Sequence, residues 1–188
     1  MNIKNLRKTF TYNMWAIVTG GGSGLGLAIA TQLAGEGCNI VIVGRSQAKL
    51  DSAAQAIMDA CGAPAVRVET LSLDLSAADA PETLYSWTCE HDIKVDILVN
   101  NAGAYAYKPV CDFTGEQMAG IVDLNVGSLA SMCRVFGADM ARRSADGVRR
   151  YILNIASYSV YMPIEGFAMY AGSKAFVRTF NRCFAKEM

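Results

Sequence analysis

Histidine, net charge and paired cysteines are all scarce in this 188-residue chain. His91 is the one histidine, and Cys38, Cys61, Cys89, Cys111, Cys133 and Cys183 show no CxxC spacing, so no metal site is expected. Seventeen basic and seventeen acidic side chains cancel, which removes the basic footprint that a phosphate backbone requires. Nucleic acid is therefore not an expected partner. An even cysteine count is compatible with disulfides, but hydrophobic residues at 52% supply a core without staples, so reduced thiols in a cytoplasmic protein are the expectation. An uninterrupted apolar span is also missing. The charge-free run from Thr9 to Gly35 follows Lys4, Arg7 and Lys8, yet Gly20, Gly21, Gly22, Ser23, Gly24 and Gly26 break it as a turn would. Neither a membrane span nor a cleaved leader is expected.

What is present is a rhythm of short β-branched runs and longer helical stretches, the pattern of parallel strands joined by crossover helices. Strands are expected at Trp15 to Thr19, Asn39 to Val43, Val66 to Thr70, Asp96 to Val99 and Tyr151 to Ile155. Helices are expected at Leu25 to Ala34, Gln47 to Ala60, Ala77 to His91, Thr114 to Arg143 and from Phe167 onward. Ser46 and Ser76 are candidate caps for the second and third helices, and Gly62 and Pro64 mark the end of the second. Without a repeat or a low-complexity linker, residues 1–188 read as one α/β domain built on a doubly wound parallel sheet, with residues 1–13 as an N-terminal extension.

Two clusters carry chemistry. Thr19 to Gly26, TGGGSGLG, sits where a buried strand hands over to an apolar helix. Glycines permit the tight turn and close backbone approach, and the helix N-terminus favours a pyrophosphate. A flexible loop or another phosphate site are the alternatives, although a P-loop is excluded because no Gly-Lys-Ser/Thr follows. After the second strand, no acid stands between Glu36 and Asp51 to hold ribose hydroxyls, and Arg45 occupies the place where one would be. A guanidinium there suits a 2′-phosphate, so NADP(H) is expected over NAD(H), unless Arg45 is only a solvated loop charge.

The second cluster is Tyr170-Ala171-Gly172-Ser173-Lys174, which puts a phenol and an ammonium on one helix face. A cation about 4 Å from a phenolate attracts it by about 4 kcal/mol at an effective dielectric near 20, enough to bring a tyrosine toward neutral-pH proton transfer before desolvation costs. Ser157 lies thirteen residues earlier, after the buried run Ile152 to Ile155, at a strand's carboxyl end where open parallel sheets bind ligands. An ordinary amphipathic helix is the plain alternative for Tyr170 and Lys174 alone.

Together these features resemble the short-chain dehydrogenase/reductase family from about Trp15 onward. The family's TGxxxGxG element matches Thr19 to Gly26, its NNAG element Asn100 to Gly103, and its YxxxK element Tyr170 to Lys174. Its structural asparagine matches Asn125, its serine Ser157, and its acid near the adenine Asp74 in Leu73-Asp74-Leu75. The resemblance implies a Rossmann-type three-layer α/β/α fold. It also implies hydride transfer between NAD(P)(H) and a carbonyl or alcohol substrate, with Tyr170 as general acid/base and Ser157 orienting the substrate oxygen. Lys174 would lower the tyrosine pKa and hold the nicotinamide ribose, and Asn125 would hold a proton-relaying water. Thr19, Gly20, Gly22, Ser23, Gly24, Leu25, Gly26, Arg45, Asp74, Leu75, Asn101, Ala102 and Gly103, together with Tyr170 and Lys174, would meet the cofactor. Ser159 rivals Ser157, but the family's spacing to tyrosine favours Ser157.

The substrate is less legible. Tyr105, Tyr107, Tyr158, Val160, Tyr161, Met162 and Phe167 would suit an apolar carbonyl compound if they face the cleft, and are ordinary packing if they do not. Family members continue past the YxxxK helix into further strands and a substrate-covering segment, whereas this chain stops at Met188, so it is expected to lack those pieces. A catalytically silent nucleotide-binding or dimerising module is the competing expectation. A homodimer through the helices at Thr114 to Arg143 and after Phe167 is expected in either case.

Overall fold

The computed structural model describes residues 13–61 and 66–188, so most of the expected extension, with Gly62 and Pro64, lies outside the described residues. Its elements are β1 (Trp15–Thr19), α1 (Gly24–Gly35), β2 (Asn39–Gly44), α2 (Gln47–Cys61), β3 (Val68–Ser72), α3 (Ala80–Glu90) and β4 (Val95–Asn100). They continue with α4 (Gly115–Val122), a π-helical turn Asp123–Ser128, α5 (Leu129–Arg142), β5 (Tyr151–Asn154) and α6 (Ala168–Glu187). All five strands are parallel, in the order β3-β2-β1-β4-β5. This is the doubly wound sheet expected, and its order reverses between β1 and β4, the place where such sheets bind ligands at their carboxyl ends.

The apolar runs become central strands because both faces of the sheet are covered. Alternate residues of β1 feed two cores: Ala16 and Val18 pack with Ala30, Ala34, Leu50 and Ile57 of α1 and α2, and Trp15 and Ile17 with Leu84, Met132, Phe136 and Met140 of α3 and α5. A smaller cluster of Leu129, Cys133 and Val177 joins α5 to α6. Burial pushes the Cys38 and Cys133 thiols up to about 11, which keeps both protonated and inert at neutral pH.

Three expectations about the elements are corrected. β3 runs two residues later than expected because its register follows β2, from Ile40 opposite Val68 to Gly44 opposite Ser72. The ladder thus continues into Leu71 and Ser72, past the β-branched run. Ser76 does not cap α3: its hydroxyl and N–H both donate to Asp74 Oδ1, at 2.7 and 3.0 Å, and the helix begins at Ala80 beside Pro81, a residue suited to a first turn. The single helix expected from Thr114 to Arg143 does start on a Thr114/Gln117 capping box, but it widens into the π turn around Asn125.

Candidate active site

Thr19 ends β1 with its hydroxyl buried between the two halves of the sheet. That oxygen accepts the Asn101 and Ala102 N–H groups at 2.9 and 3.0 Å and donates to the Val99 carbonyl at 3.2 Å. Asn101 answers by donating its amide to the Thr19 carbonyl at 2.9 Å. The glycine turn and the NNAG segment are thereby fastened together at the reversal point of the sheet.

The turn requires glycine for two distinct reasons. Gly20 has φ +66°, a conformation other residues resist. Gly26 has no room, since a Cβ there would sit 2.3 Å from the Gly20 carbonyl oxygen. α1 follows with Ser23 extended and making no side-chain cap, and with no acid in its first turn. Its first N–H groups and the positive end of its dipole therefore meet no carboxylate from the helix's own first turn, which suits an anion.

A cleft of about 390 Å³ extends from this turn. Gly20, Gly22, Ser23, Leu25, Gly26, Arg45, Asp74, Leu75, Asn101, Ala102 and Gly103 line it, as the sequence suggested. Thr19 lies behind it as a fastening, and Gly24 contributes a φ of +54° to the turn. Ser46, expected only as a helix cap, also lines the cleft, as do Lys49 and Leu124; Ser46 and Lys49 have a sequence signal in their nearness to Arg45, Leu124 has none. Hydrogen bonds from the Ser76 hydroxyl and N–H, with Arg45 adding attraction, hold the Asp74 carboxyl below the usual carboxylate range. The glycine cradle, the uncapped helix and Arg45 form a donor set that fits a phosphorylated dinucleotide.

Asn125, Ser157, Tyr170 and Lys174 do not line this cleft; the structure brings Asn125 and Lys174 to its end at Gly103, with Tyr170 beside Lys174 and Ser157 two residues along the chain from the Lys174 partner Ile155. A Cβ at Gly103 would lie 3.2 Å from Asn125 Oδ1 and 3.5 Å from Lys174 Nζ. Lys174 is buried, and its ammonium donates to the Ile155 carbonyl at 2.8 Å, tying α6 to the chain two residues before Ser157. Burial lowers its pKa. The same ammonium lies 5.8 Å from the centroid of the Tyr170 ring. Its hydrogen bond thus goes to backbone, not to the phenol that the resemblance pairs it with. Asn125 accepts the Ala104 N–H at 2.8 Å and donates to the Ala104 carbonyl and the Ser173 hydroxyl, at 2.8 and 3.0 Å. Its side-chain amide is thereby engaged in holding the loop after β4 to α6. Ser173, missed in the sequence, has no signature there beyond its place beside Lys174.

The aromatic residues do collect near Tyr170. Tyr105 and Phe167 stand edge-on to its ring with centroids 6.0 and 5.6 Å away, and Tyr107 packs on Phe167 at 5.3 Å. Tyr158 and Tyr161 are exposed on the turn after Ser157. Among the described residues, no three His, Cys, Asp or Glu side chains converge as a metal site would require.

The sequence description of short chain dehydrogenases matches residues 14–188. The chain belongs to the short-chain dehydrogenase family. Among its relatives in that family, a very-long-chain 3-oxoacyl-CoA reductase of Mycosarcoma maydis is 35% identical over 187 residues, 97% of this chain and 51% of the relative. The 17-beta-hydroxysteroid dehydrogenase type 3 of Danio rerio is 32% identical over 175 residues, 89% of this chain and 53% of the relative. A solved 3-oxoacyl (acyl-carrier-protein) reductase from Agrobacterium tumefaciens, with NADP bound, superposes with a TM-score of 0.84 at 27% identity, covering 100% of this chain and 68% of that structure. The short-chain dehydrogenase chain thus spans about half the length of the curated relatives it matches.

Proposed function

We propose that this chain carries the nucleotide-binding and proton-transfer apparatus of an NADP(H)-dependent oxidoreductase acting on a carbonyl or alcohol with an apolar body. The observation that carries the proposal is the junction at Gly103, where the cleft from the glycine turn meets buried Lys174 and the end of β5. The glycine turn and the first N–H groups of α1 would hold the pyrophosphate, Arg45 the 2′-phosphate, Asp74 and Leu75 the adenine side, and Lys174 the nicotinamide ribose. A nicotinamide bound there supplies or accepts a hydride.

The protein's contribution is positional and electrostatic. In reduction, Ser157 donates a hydrogen bond to the substrate carbonyl oxygen, and Tyr170 delivers its phenolic proton to the same oxygen. In oxidation, Tyr170 withdraws that proton. Lys174 holds a positive charge near the Tyr170 ring and favours the phenolate left after proton delivery. Tyr105, Tyr107 and Phe167 support an apolar substrate body, as do relatives whose names specify very-long-chain acyl and steroid substrates. A homodimer through α4, α5 and α6 belongs to the same reading.

The test mixes the chain with NADPH and a panel of acetophenone, benzaldehyde and a long-chain 3-oxoacyl-CoA, following nicotinamide absorbance. Turnover is expected, and Tyr170→Phe should lower it by about 10²–10⁴-fold while NADPH still binds. Arg45→Gln should weaken NADPH binding roughly 10–100-fold and leave NADH within about 3-fold. A Tyr170→Phe protein as fast as the parent would overturn the assignment. Exposed Leu153 on β5 favours a second reading, a silent nucleotide-binding or dimerising module, which NADPH binding without turnover of any panel member would establish.

A further inference from the structure

Ser157 sits in extended backbone at the head of the short 3-10 turn Tyr158–Val160. A hydroxyl offers one proton and two lone pairs. Here the Ser157 oxygen accepts the Ser159 N–H at 3.2 Å and the Ser159 hydroxyl at 2.9 Å, so one neighbouring residue fills both acceptor positions. The turn is pinned from the other side. Tyr161, which follows it, accepts a hydrogen bond from Arg178 Nε of α6 at 2.9 Å, with the guanidinium 4.9 Å from its ring centroid.

We propose that Ser159 is a positioning residue that makes Ser157 an obligate donor, leaving the Ser157 proton no direction except toward the substrate oxygen. This rests on the reading of Ser157 given above and adds a residue to it. The backbone N–H of Ser159 cannot reverse its role. With it in place, a Ser159 hydroxyl that donates keeps the Ser157 proton free, and a chain of two hydroxyls polarises the outer one. A Ser159 hydroxyl that accepted instead would consume that proton and compete with the substrate. The two arrangements predict opposite effects when the hydroxyl is removed.

The experiment compares the parent chain with Ser159→Ala, Ser159→Thr and Ser157→Ala, using NADPH and whichever ketone or aldehyde of the panel the parent reduces fastest. Ser159→Ala should lower kcat about 3–10-fold with KM and NADPH affinity within about 2-fold of the parent, and Ser159→Thr should restore kcat. A purely structural role would move cofactor binding or Tm as well and would not separate kcat from KM. A Ser159→Ala kcat equal to or above the parent's, alongside an impaired Ser157→Ala, would overturn the role of Ser159 and leave that of Ser157 standing. So would a Ser159→Thr protein as slow as Ser159→Ala. An unimpaired Ser157→Ala, or a parent that turns over no panel member, would overturn the underlying reading and this inference with it.

Discussion

The nucleotide side of the molecule and its chemistry side are held together in different ways. In β1 every residue is buried, as are five of the six in β2 and five of the six in β4, and the glycine turn between them is shaped by backbone meeting backbone. In β5 no residue is fully buried, and α6 buries only Ser173, Lys174 and Val177. That side has one small apolar cluster, around Leu129, Cys133 and Val177, and is otherwise secured by single polar ties: Lys174 to the Ile155 carbonyl, Asn125 to Ser173, Arg178 to Tyr161 and Asn154 to Asn181. Close packing is not continuously deformable, whereas isolated hydrogen bonds fail one at a time. A change on the first side should therefore disturb binding and stability together, and a change on the second should separate them from turnover.

Gly26→Ala should give the largest joint effect on NADPH binding and stability. Its new methyl group would stand 2.3 Å from the Gly20 carbonyl oxygen, where no side-chain rotation can relieve the clash and the turn itself has to move. At about 1–3 kcal/mol of overpacking, NADPH affinity measured by fluorescence titration should fall about 10–100-fold, with a lower Tm. Gly24→Ala is the matched control, because φ is +54° there but no atom lies within 4 Å of the added carbon. It should cost about 1–2 kcal/mol of backbone strain. Gly26→Ala protein with the parent's NADPH affinity would remove the distinction between the two sides.

The same difference explains what the sequence could reveal. Runs such as WAIVT and NIVIVG are legible because a strand buried on both faces must be apolar throughout, and the glycine turn because its clearances admit no side chain. β3 lies two residues beyond its β-branched run because an edge strand takes its limits from its partner's register. Ser76 has the sequence position of a cap, a serine before an apolar run, but its choice of Asp74 depends on a local turn. The π turn is not legible, since the poor helix formers of Asp123 to Ser128 signal a weak stretch without specifying a wider turn, and its key residue, Asn125, bonds to two distant segments, at Ala104 and Ser173. Tyr170 and Lys174 are visible by spacing, but the Ile155 carbonyl that accepts the Lys174 hydrogen bond carries no side-chain signal.

Lys174→Met should separate stability from turnover on the chemistry side. Burial lowers the lysine pKa from 10.5, so between the folded value and 10.5 the unfolded chain binds the proton more readily than the folded one. The parent's stability therefore rises with pH across that window, while at neutral pH the buried charge is a standing cost. Methionine removes both the charge and the bond to Ile155. If the charge outweighs the bond by about 1 kcal/mol, Tm at neutral pH rises by about 2–4 °C, and turnover is lost. The advantage should shrink as pH approaches 10. A Tm below the parent's, by an amount constant in pH, would show that the Ile155 tie outweighs the buried charge.

Asn181→Ala should have the smallest effect and tests the independence of those ties. Three amides run in series from the centre of the sheet to α6: Asn100 Nδ2 donates to Asn154 Oδ1 at 2.8 Å, and Asn154 Nδ2 donates to Asn181 Oδ1 at 2.9 Å. Removing the outermost acceptor leaves the Asn154 amide only half-buried, where water replaces the lost partner, so the cost should be about 0.5–1 kcal/mol and Tm should fall by about 1–4 °C. Tyr170 and Lys174 retain their own anchors through Phe167 and the Ile155 carbonyl, so kcat should stay within about 2-fold of the parent. A larger loss of kcat than of stability would mean that α6 moves as one rigid lever, and that its amide contact with β5 sets the placement of Tyr170 from three helical turns away.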